Sequence, residues 1–173
     1  MIVIDNFLPD MYFRELQETI FGENFPWNYN EGTTTGKDGD IYFTHMGFKT
    51  DPEGRENPFN SPFYFDAKPV LYFIEEKCNF HISDLLRINC TMVVRQPKVE
   101  TSAFHTDYSF PHYTGILYMN DCNGPTVFDE GLKIEFRTNR FALFDGTIHH
   151  AASQQSDAAR RVNVVFNMQG YFK

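Results

Sequence analysis

The second half of the chain is a succession of short segments rich in β-branched and aromatic residues, separated by turn-forming residues. The segments cover residues 86–95, 114–120, 126–128, 132–136, 141–144 and 162–168. The breaks between them contain proline, glycine and asparagine, as at Asn123-Gly124-Pro125. With 19 Phe and 9 Tyr in 173 residues, the composition also favours pleated surfaces. The regular spacing predicts a mainly β fold, an antiparallel sandwich or barrel of which the jelly roll (double-stranded β-helix) is one form.

The first half combines two predicted helices with a long segment of irregular texture. Residues 1–5 favour a strand, the spacing of Tyr12, Leu16 and Ile20 predicts a helix, and a second helix is expected over 67–79. Residues 25–60 are rich in Gly, Asn, Asp and Thr, which predicts a long loop with one hairpin. Such a loop is either a lid over a site or a cover for one end of the core. We expect one domain over 1–173, in which 1–84 supports a jelly-roll core at 85–173.

Charge and cysteine content disfavour several classes of function. The formal net charge is −8 and no block of basic residues is present, which disfavours nucleic acid as a partner. No apolar run approaches the length of about 20 residues that spans a bilayer, so no membrane segment is expected. Cys78, Cys90 and Cys122 are far apart and no secretory leader is seen, so we expect reduced thiols in a cytoplasmic protein. The oligomeric state is left open.

Three residues have the chemistry of a ferrous iron site. In an extended segment alternate side chains share a face, so His105 and Asp107 would point the same way. His150 follows the 141–144 segment and its turn, and a rolled sheet could bring it opposite that pair. Two imidazoles and one carboxylate cover one face of an octahedral Fe(II) ion and leave the other face open for a co-substrate and dioxygen. An isolated His-x-Asp pair, however, also occurs on protein surfaces without a metal.

A candidate anion-binding residue follows the third histidine. Arg161, Asn163 and Val165 alternate along the last predicted strand and therefore share one face. An arginine at the mouth of a barrel strand could bind a carboxylate through its fixed fork of donors. The alternative is a salt bridge on a solvated edge strand, which suits the neighbouring Arg160 better.

In combination, these motifs resemble the iron(II)- and 2-oxoglutarate-dependent dioxygenases, in particular the prolyl-hydroxylase-like branch. His105-Thr106-Asp107 looks like the family's HxD, and Tyr118-Met119-Asn120 resembles its Tyr-Leu-Asn strand. Residues 123–128 look like its Gly-Gly-x-Thr-x-Phe turn, with asparagine in place of the first glycine. The stretch 139–146 is similar to the one before the family's distal histidine, and the family's spacing falls on His150 rather than His149. Arg161-Val162-Asn163 stands where the family usually has Arg-x-Ser.

The resemblance implies a site for Fe(II), 2-oxoglutarate and O2. The implied metal ligands, which are also the catalytic residues, are His105, Asp107 and His150. The residues implied to bind 2-oxoglutarate are Arg161, Tyr118 and Asn163. The implied reaction is hydroxylation of a C–H bond with release of succinate and CO2. Its substrate would be a peptidyl residue, proline first among them, or a small molecule.

Two interpretations from other classes remain open at this point. A cupin-like metal-binding or sensing jelly roll would use the same ligands without oxidative turnover, but it has no use for Arg161. A purely structural jelly roll would bind no iron at all. Neither the fold nor the motifs identify a substrate, because one fold supports many activities.

Overall fold

The computed structural model describes residues 1–31, 41–50, 59–129 and 131–173. The parts of the predicted loop at 32–40 and 51–58, and with them the predicted lid, lie outside the described residues. Within these ranges, no helix combines the length and the apolar character needed to cross a membrane.

Helices alternate with strands in the first half of the chain. The helices are α1 (Asp10–Phe21), α2 (Phe63–Ala67) and α3 (Val70–Lys77). The strands of the first half are β1 (Ile2–Ile4), β2 (Asn28–Glu31), β3 (Ile41–Lys49), β4 (Phe59–Asn60) and β5 (Phe80–Val94). Those of the second half are β6 (Tyr113–Tyr118), β7 (Thr126–Phe128), β8 (Lys133–Ile134), β9 (Phe141–Asp145), β10 (His150–Ala152) and β11 (Arg160–Phe172).

The strands form two antiparallel sheets. The main sheet has the order β1-β9-β6-β11-β5-β3-β2, with β4 paired to β3, and the small sheet has the order β10-β7-β8. The central pairing joins β5 and β11, where Arg87 lies opposite Asn167 and Thr91 lies opposite Asn163. The predicted mainly β, antiparallel fold class is confirmed.

Alternation along the strands builds a core on each face of the main sheet. On the outer face, Ile88 and Phe166 are buried against the helices. On the inner face, Ile116 and Phe144 of the main sheet meet Phe128 of the small sheet. The remaining inner positions are more polar and line a cavity between the two sheets. In the part of the chain that the structure describes, the two-layer packing therefore leaves a space with polar side chains in its wall where a site can form.

The predicted strands of the second half are all present, but the pattern does not predict β10. The strand at 126–128 has the predicted bounds, and the others occur with shifted ends. His150-Ala151-Ala152 is short and has no β-branched residue, so its sequence alone does not favour a strand. Its extended geometry comes from antiparallel pairing with β7.

In its described part, the predicted long loop with one hairpin over 25–60 contains the hairpin, but 41–49 is a full strand of the main sheet and not loop. β2 and β3 pair antiparallel, as the one expected hairpin requires, and β3 pairs along its length with β5. The register with β5 shifts at Gly47, between Met46 and Phe48. β2 is polar and does not signal a strand, whereas β3 contains Ile41, Tyr42 and Phe43, which favour a strand but lie within a segment rich in Gly, Asn, Asp and Thr.

The helices follow the predicted apolar spacing, with one correction. α1 buries Phe13, Leu16 and Ile20, as the spacing in the sequence predicts. The helix expected over 67–79 is α3, which covers only Val70–Lys77 and is divided from α2, whose last residue is Ala67. The division falls at Pro69, which lacks a backbone N–H and is tolerated only in the first turn of a helix.

Candidate metal and anion site

His105, Asp107 and His150 come together between the two sheets. One ligand atom of each lies within 4.8 Å of the others. His150 opens β10, and His105 pairs with it through two backbone N–H···O hydrogen bonds of 3.0 Å each. The two histidines thus occupy paired positions on adjacent extended segments. The structure brings together the three predicted ligands from two distant parts of the chain.

Backbone carbonyls orient both imidazole rings. The Nδ1 of His105 donates to the carbonyl of Ala103 at 3.3 Å, and that of His150 donates to the carbonyl of Ile148 at 3.1 Å. Since a carbonyl oxygen only accepts, each Nδ1 carries the proton and each Nε2 keeps its lone pair for a metal. Burial lowers the pKa of His150, which favours the neutral imidazole that a metal requires.

Asp107 is held by three side chains of the main sheet. Arg87 donates from Nη2 to Oδ1, while Asn167 and Thr114 donate to Oδ2 at 2.9 and 3.2 Å. Burial alone would raise the pKa of Asp107, but the charge of Arg87 and, to a smaller extent, that of His150 outweigh it and lower the pKa to about 2. The carboxylate is therefore ionised and fixed in orientation, as a metal ligand needs to be.

The register of the main sheet explains why these three donors converge. Asn167 of β11 lies opposite Arg87 of β5 on one side and opposite Thr114 of β6 on the other. Residues paired across neighbouring strands project from the same face of the sheet. The row Arg87–Asn167–Thr114 therefore presents its donors together to Asp107.

The neighbouring His149 is directed elsewhere. Its side chain is 59% exposed, against 7% for that of His150, and its Nδ1 lies 3.9 Å from Oδ2 of Asp129. Adjacent residues of a strand point to opposite faces of the sheet. His149 is thus outside the ligand cluster.

A cavity of about 180 Å³ connects the three candidate ligands with Arg161. Arg161 is only 2% exposed, and its guanidinium lies 4.3 Å from the centre of the Phe136 ring. It donates from Nε to the carbonyl of Gly124 at 3.0 Å and from Nη2 to Oγ1 of Thr126 at 3.3 Å. Burial lowers the pKa of Arg161.

Arg161 has no carboxylate partner among the residues that the structure describes. A buried charge is costly unless an opposite charge compensates it. A guanidinium that lines a cavity without such a partner can bind an anionic ligand, and a carboxylate matches its fork of donors.

The two other residues predicted to bind 2-oxoglutarate occupy different positions. Asn163 lines the cavity, and its Oδ1 accepts a hydrogen bond from the Thr91 hydroxyl. Tyr118 is fully buried and is not among the residues that line the cavity. Its hydroxyl donates to Oγ1 of Thr126 at 2.9 Å, so Thr126 connects Tyr118 with Arg161.

The sequence interpretation assigns no role to Arg87, Thr114, Thr126 or Asn167. A signal was present in β5, where polar Arg87, Asn89 and Thr91 alternate with buried apolar residues. That alternation normally indicates a strand with one solvated face. Here the polar face borders a cavity between the two sheets, which becomes apparent only from the way the sheets pack against each other.

Comparison with known proteins identifies the fold. No protein-family model matches the chain, and no curated protein matches its sequence. A prolyl hydroxylase from Trichoplax adhaerens, solved in complex with a hypoxia inducible factor oxygen degradation domain peptide fragment, superposes with a TM-score of 0.68 at 13% identity. That match covers 99% of this chain and 83% of the other.

Two bacterial structures are also similar. An oxidoreductase of the 2OG-Fe(II) oxygenase family from Burkholderia pseudomallei has a TM-score of 0.62 at 12% identity, over 94% of this chain and 80% of the other. A prolyl-4-hydroxylase from Pseudomonas putida has a TM-score of 0.55 at 12% identity, over 97% of this chain and 91% of the other. The predicted resemblance, including the jelly roll, is confirmed at the level of the fold. At such identities, the activity has to be argued from the site.

Proposed function

We propose that this protein is an Fe(II)- and 2-oxoglutarate-dependent oxygenase that hydroxylates a C–H bond and releases succinate and CO2. One observation carries the proposal: the cavity that holds two histidines and a carboxylate, with ligand atoms within 4.8 Å of one another, also contains a buried arginine that has no carboxylate partner among the described residues. A dicarboxylate with a 2-oxo group can bind to a metal at one end and to an arginine at the other.

The donor set fits ferrous iron. Two neutral imidazoles and one carboxylate, with open positions left over, are the ligands typical of non-haem Fe(II) oxygenases. His105 and His150 keep Nε2 available, and Asp107 is ionised. Oδ2 of Asp107 lies 3.9 Å from Nε2 of His150, close enough for one ion to bind both atoms.

The anion site fits the distal carboxylate of 2-oxoglutarate. Arg161 would bind that carboxylate, Asn163 lies in the same cavity, and Tyr118 would act through Thr126. When bound, iron and 2-oxoglutarate supply the oxidising chemistry: O2 is consumed, 2-oxoglutarate loses CO2 to give succinate, and a substrate C–H becomes C–OH. The chain's own part is to fix the ligands and to keep bulk water out of the cavity.

A peptidyl residue is the first candidate for the substrate, proline before others, with a small molecule as the alternative. The similar Trichoplax prolyl hydroxylase was solved with a peptide fragment, which supports a peptide as the substrate of this protein. The net charge of −8 continues to disfavour nucleic acid. We place the protein in the cytoplasm, since Cys78, Cys90 and Cys122 are all free thiols.

Arg161 also separates this proposal from a metal-binding or sensing jelly roll without turnover. A metal site alone needs the three ligands and no buried guanidinium at a distance from them. Burying an arginine costs free energy, which a bound dicarboxylate would offset.

The proposal predicts a spectroscopic signature under anaerobic conditions. Adding Fe(II) and 2-oxoglutarate should give the weak visible charge-transfer band of the chelate, and Arg161→Ala should abolish the band at moderate 2-oxoglutarate concentration. Arg160→Ala is the matched control, because Arg160 is exposed and its guanidinium lies over the Phe21 ring. Retained iron binding would show that the Arg161 variant is folded. A normal band in that variant would refute the assignment of the anion site.

Turnover is then tested by succinate release in air. Wild-type protein with Fe(II) should release succinate slowly from 2-oxoglutarate alone and faster with proline-containing peptides or another true substrate. If the chelate band forms but no succinate appears with or without peptides, the protein is a binding module and the proposed reaction is wrong.

A further inference from the structure

The cavity is closed at Arg161 and open at Arg87. Arg161 is 2% exposed, whereas the side chain of Arg87 is 21% exposed. In the register of the main sheet, Arg161 lies opposite Val93, which is six residues from Arg87 on β5, or about 20 Å along the strand. Arg87 bonds the candidate ligand Asp107, so it marks the metal end. A substrate that enters from the surface therefore meets the Arg87 end, while 2-oxoglutarate would extend from the metal toward Arg161.

Arg87 has hydrogen-bond donors to spare. An arginine side chain carries five N–H donors. Arg87 donates from Nη2 to Asp107 and from Nε to Oδ1 of Asn167, and among the described residues its Nη1 has no acceptor. Its guanidinium lies 5.6 Å from the centre of the Tyr108 ring. These contacts fix the plane of the guanidinium, so its remaining edge is preorganised for an acceptor.

Lys49 places a second positive charge beside Arg87. Lys49 of β3 lies opposite Arg87 in the register of β3 with β5. Residues paired in this way project from the same face of the sheet, with their Cβ atoms about 5 Å apart. Lys49 is exposed, and no carboxylate of the described residues pairs with it. Like charges directly opposite each other are unfavourable, and an anion bound between them would offset the repulsion.

The charge balance of the loaded site also favours an anionic substrate. The charged residues that line the cavity are Arg87, Asp107 and Arg161. The two positive charges of Fe(II) and the two negative charges of 2-oxoglutarate cancel, so the loaded cavity keeps an excess of positive charge, to which Lys49 adds at the rim. A cationic group would be repelled there, and a carboxylate would balance the excess.

We propose that Arg87 and Lys49 form a carboxylate subsite that selects the substrate and holds one of its carboxylates beside the metal. This inference rests on the proposed oxygenase function and names the substrate class. The carboxylate is either the α-carboxylate of a free amino acid or of a chain end, or an acidic side chain near the oxidised residue. The ring of Tyr108, next to the guanidinium, offers an apolar surface for the rest of the substrate.

The first test measures binding without turnover. The protein is loaded with Mn(II) and saturating 2-oxoglutarate under anaerobic conditions. The probes are N-acetyl derivatives of the common amino acids, each as the free acid and as the primary amide, which keeps the shape and removes the charge. In isothermal titration calorimetry, the acid of at least one amino acid should bind about tenfold more tightly than its amide. A further increase in 2-oxoglutarate should not weaken that binding.

Two pairs of peptides identify the source of the carboxylate. The first pair is an N-acetyl dipeptide that ends in proline, as the free acid and as the C-terminal amide. The second pair is a capped tripeptide with glutamate, or glutamine in its place, before a central proline. A preference for the acid in the first pair indicates a chain end, and a preference for glutamate in the second indicates an acidic side chain. A preference confined to the single amino acids indicates a small-molecule substrate.

The second test removes the charge at the rim. Lys49→Met leaves the bonds of Arg87 intact, so the acid probe should bind about threefold more weakly, while the amide, Mn(II) and 2-oxoglutarate bind as they do to the wild type. A purely structural effect would weaken acid and amide alike. Lys133→Met is the matched control, because Lys133 is also an exposed strand lysine but belongs to the small sheet. It should change none of these affinities.

Equal affinity for acid and amide in every pair of probes would overturn the inference, as would an unchanged affinity for the acid in Lys49→Met. Displacement of the acid by 2-oxoglutarate would also overturn it, because the carboxylate would then lie at Arg161. The outcome is separable from that of the proposed function. If the chelate band and succinate release are present in the wild type, the oxygenase assignment stands whatever the carboxylate subsite does. If the band is absent, the oxygenase assignment itself fails.

Discussion

At the level of single residues, two adjacent histidines, His149 and His150, differ in whether they can bind the metal. His150 is buried, is oriented by the Ile148 carbonyl, and lies 3.9 Å from Oδ2 of Asp107. His149 faces Asp129 on the surface. We expect His150→Ala to abolish Fe(II) binding and His149→Ala to leave it unchanged, as measured by equilibrium dialysis under anaerobic conditions. The reverse result would show that the metal lies on the other face of the strand.

Much of the residue-level site follows from the sequence, because iron ligands are restricted in type and spacing. The HxD pair on one extended segment and an arginine on the last strand are local patterns. Arg87 and Asn167 are not recognisable in this way, since their role arises from a register that pairs residues 80 positions apart. Their positions are set by the sheet, and no local motif encodes them.

At the level of elements, the turn before β7 positions the anion site. The carbonyl of Gly124 accepts from Arg161, and Thr126, two residues on, bonds both Arg161 and Tyr118. A Cβ on Gly124 would overlap the carbonyl oxygen of Ser153 and lie 3.0 Å from the Gln155 nitrogen. Backbone atoms cannot move aside as a flexible side chain can, so the turn itself has to shift.

Gly124→Ala should therefore weaken 2-oxoglutarate binding by about tenfold or more while iron binding is retained, as measured by titration of the chelate band. The control is Gly131→Ala, where φ is +85° and no atom lies within 4 Å of the added Cβ. That variant should lose stability, by about 1 kcal/mol, without a change in 2-oxoglutarate affinity. If both substitutions weakened 2-oxoglutarate binding equally, the turn at Gly124 would have no particular role in positioning the anion site.

A strand could be predicted where its own residues favour extended structure, and could not where it is extended mainly because a neighbouring strand pairs with it. The long strands β5 and β11 carry enough β-branched and aromatic residues to be predicted from their own sequence. β2 is polar and β10 is short, and they become strands by pairing with β3 and β7, whereas β3 contains a strand-favouring Ile-Tyr-Phe run within a segment whose overall composition predicts a loop. The sequence pattern therefore predicts the jelly-roll core but not the strands that widen the main sheet.

At the level of the whole molecule, the site connects the two sheets. His150 belongs to the small sheet, whereas Arg161 and the donors that hold Asp107 belong to the main sheet. Ligands bound between them would add to the apolar packing and to the hydrogen bonds by which Tyr118 and Arg161 already contact Thr126 of the small sheet. A cavity between sheets depends on how both fold, which is why its polar lining could not be predicted from any single strand.

This arrangement makes stability depend on both ligands. With Mn(II) as a redox-stable substitute for Fe(II), 2-oxoglutarate at about 100 times its Kd should add about 2.7 kcal/mol, which for a chain of this size raises the unfolding temperature by about 5–10 °C. Arg161→Ala should keep the increase caused by Mn(II) and lose the further increase caused by 2-oxoglutarate, whereas His150→Ala should lose both, because the 2-oxo group then has no metal to bind. Differential scanning calorimetry measures the three proteins without ligand, with Mn(II), and with Mn(II) and 2-oxoglutarate together. If 2-oxoglutarate stabilises the His150 variant as much as the wild type, the dicarboxylate binds without the metal, and the two ends of the cavity act as independent sites.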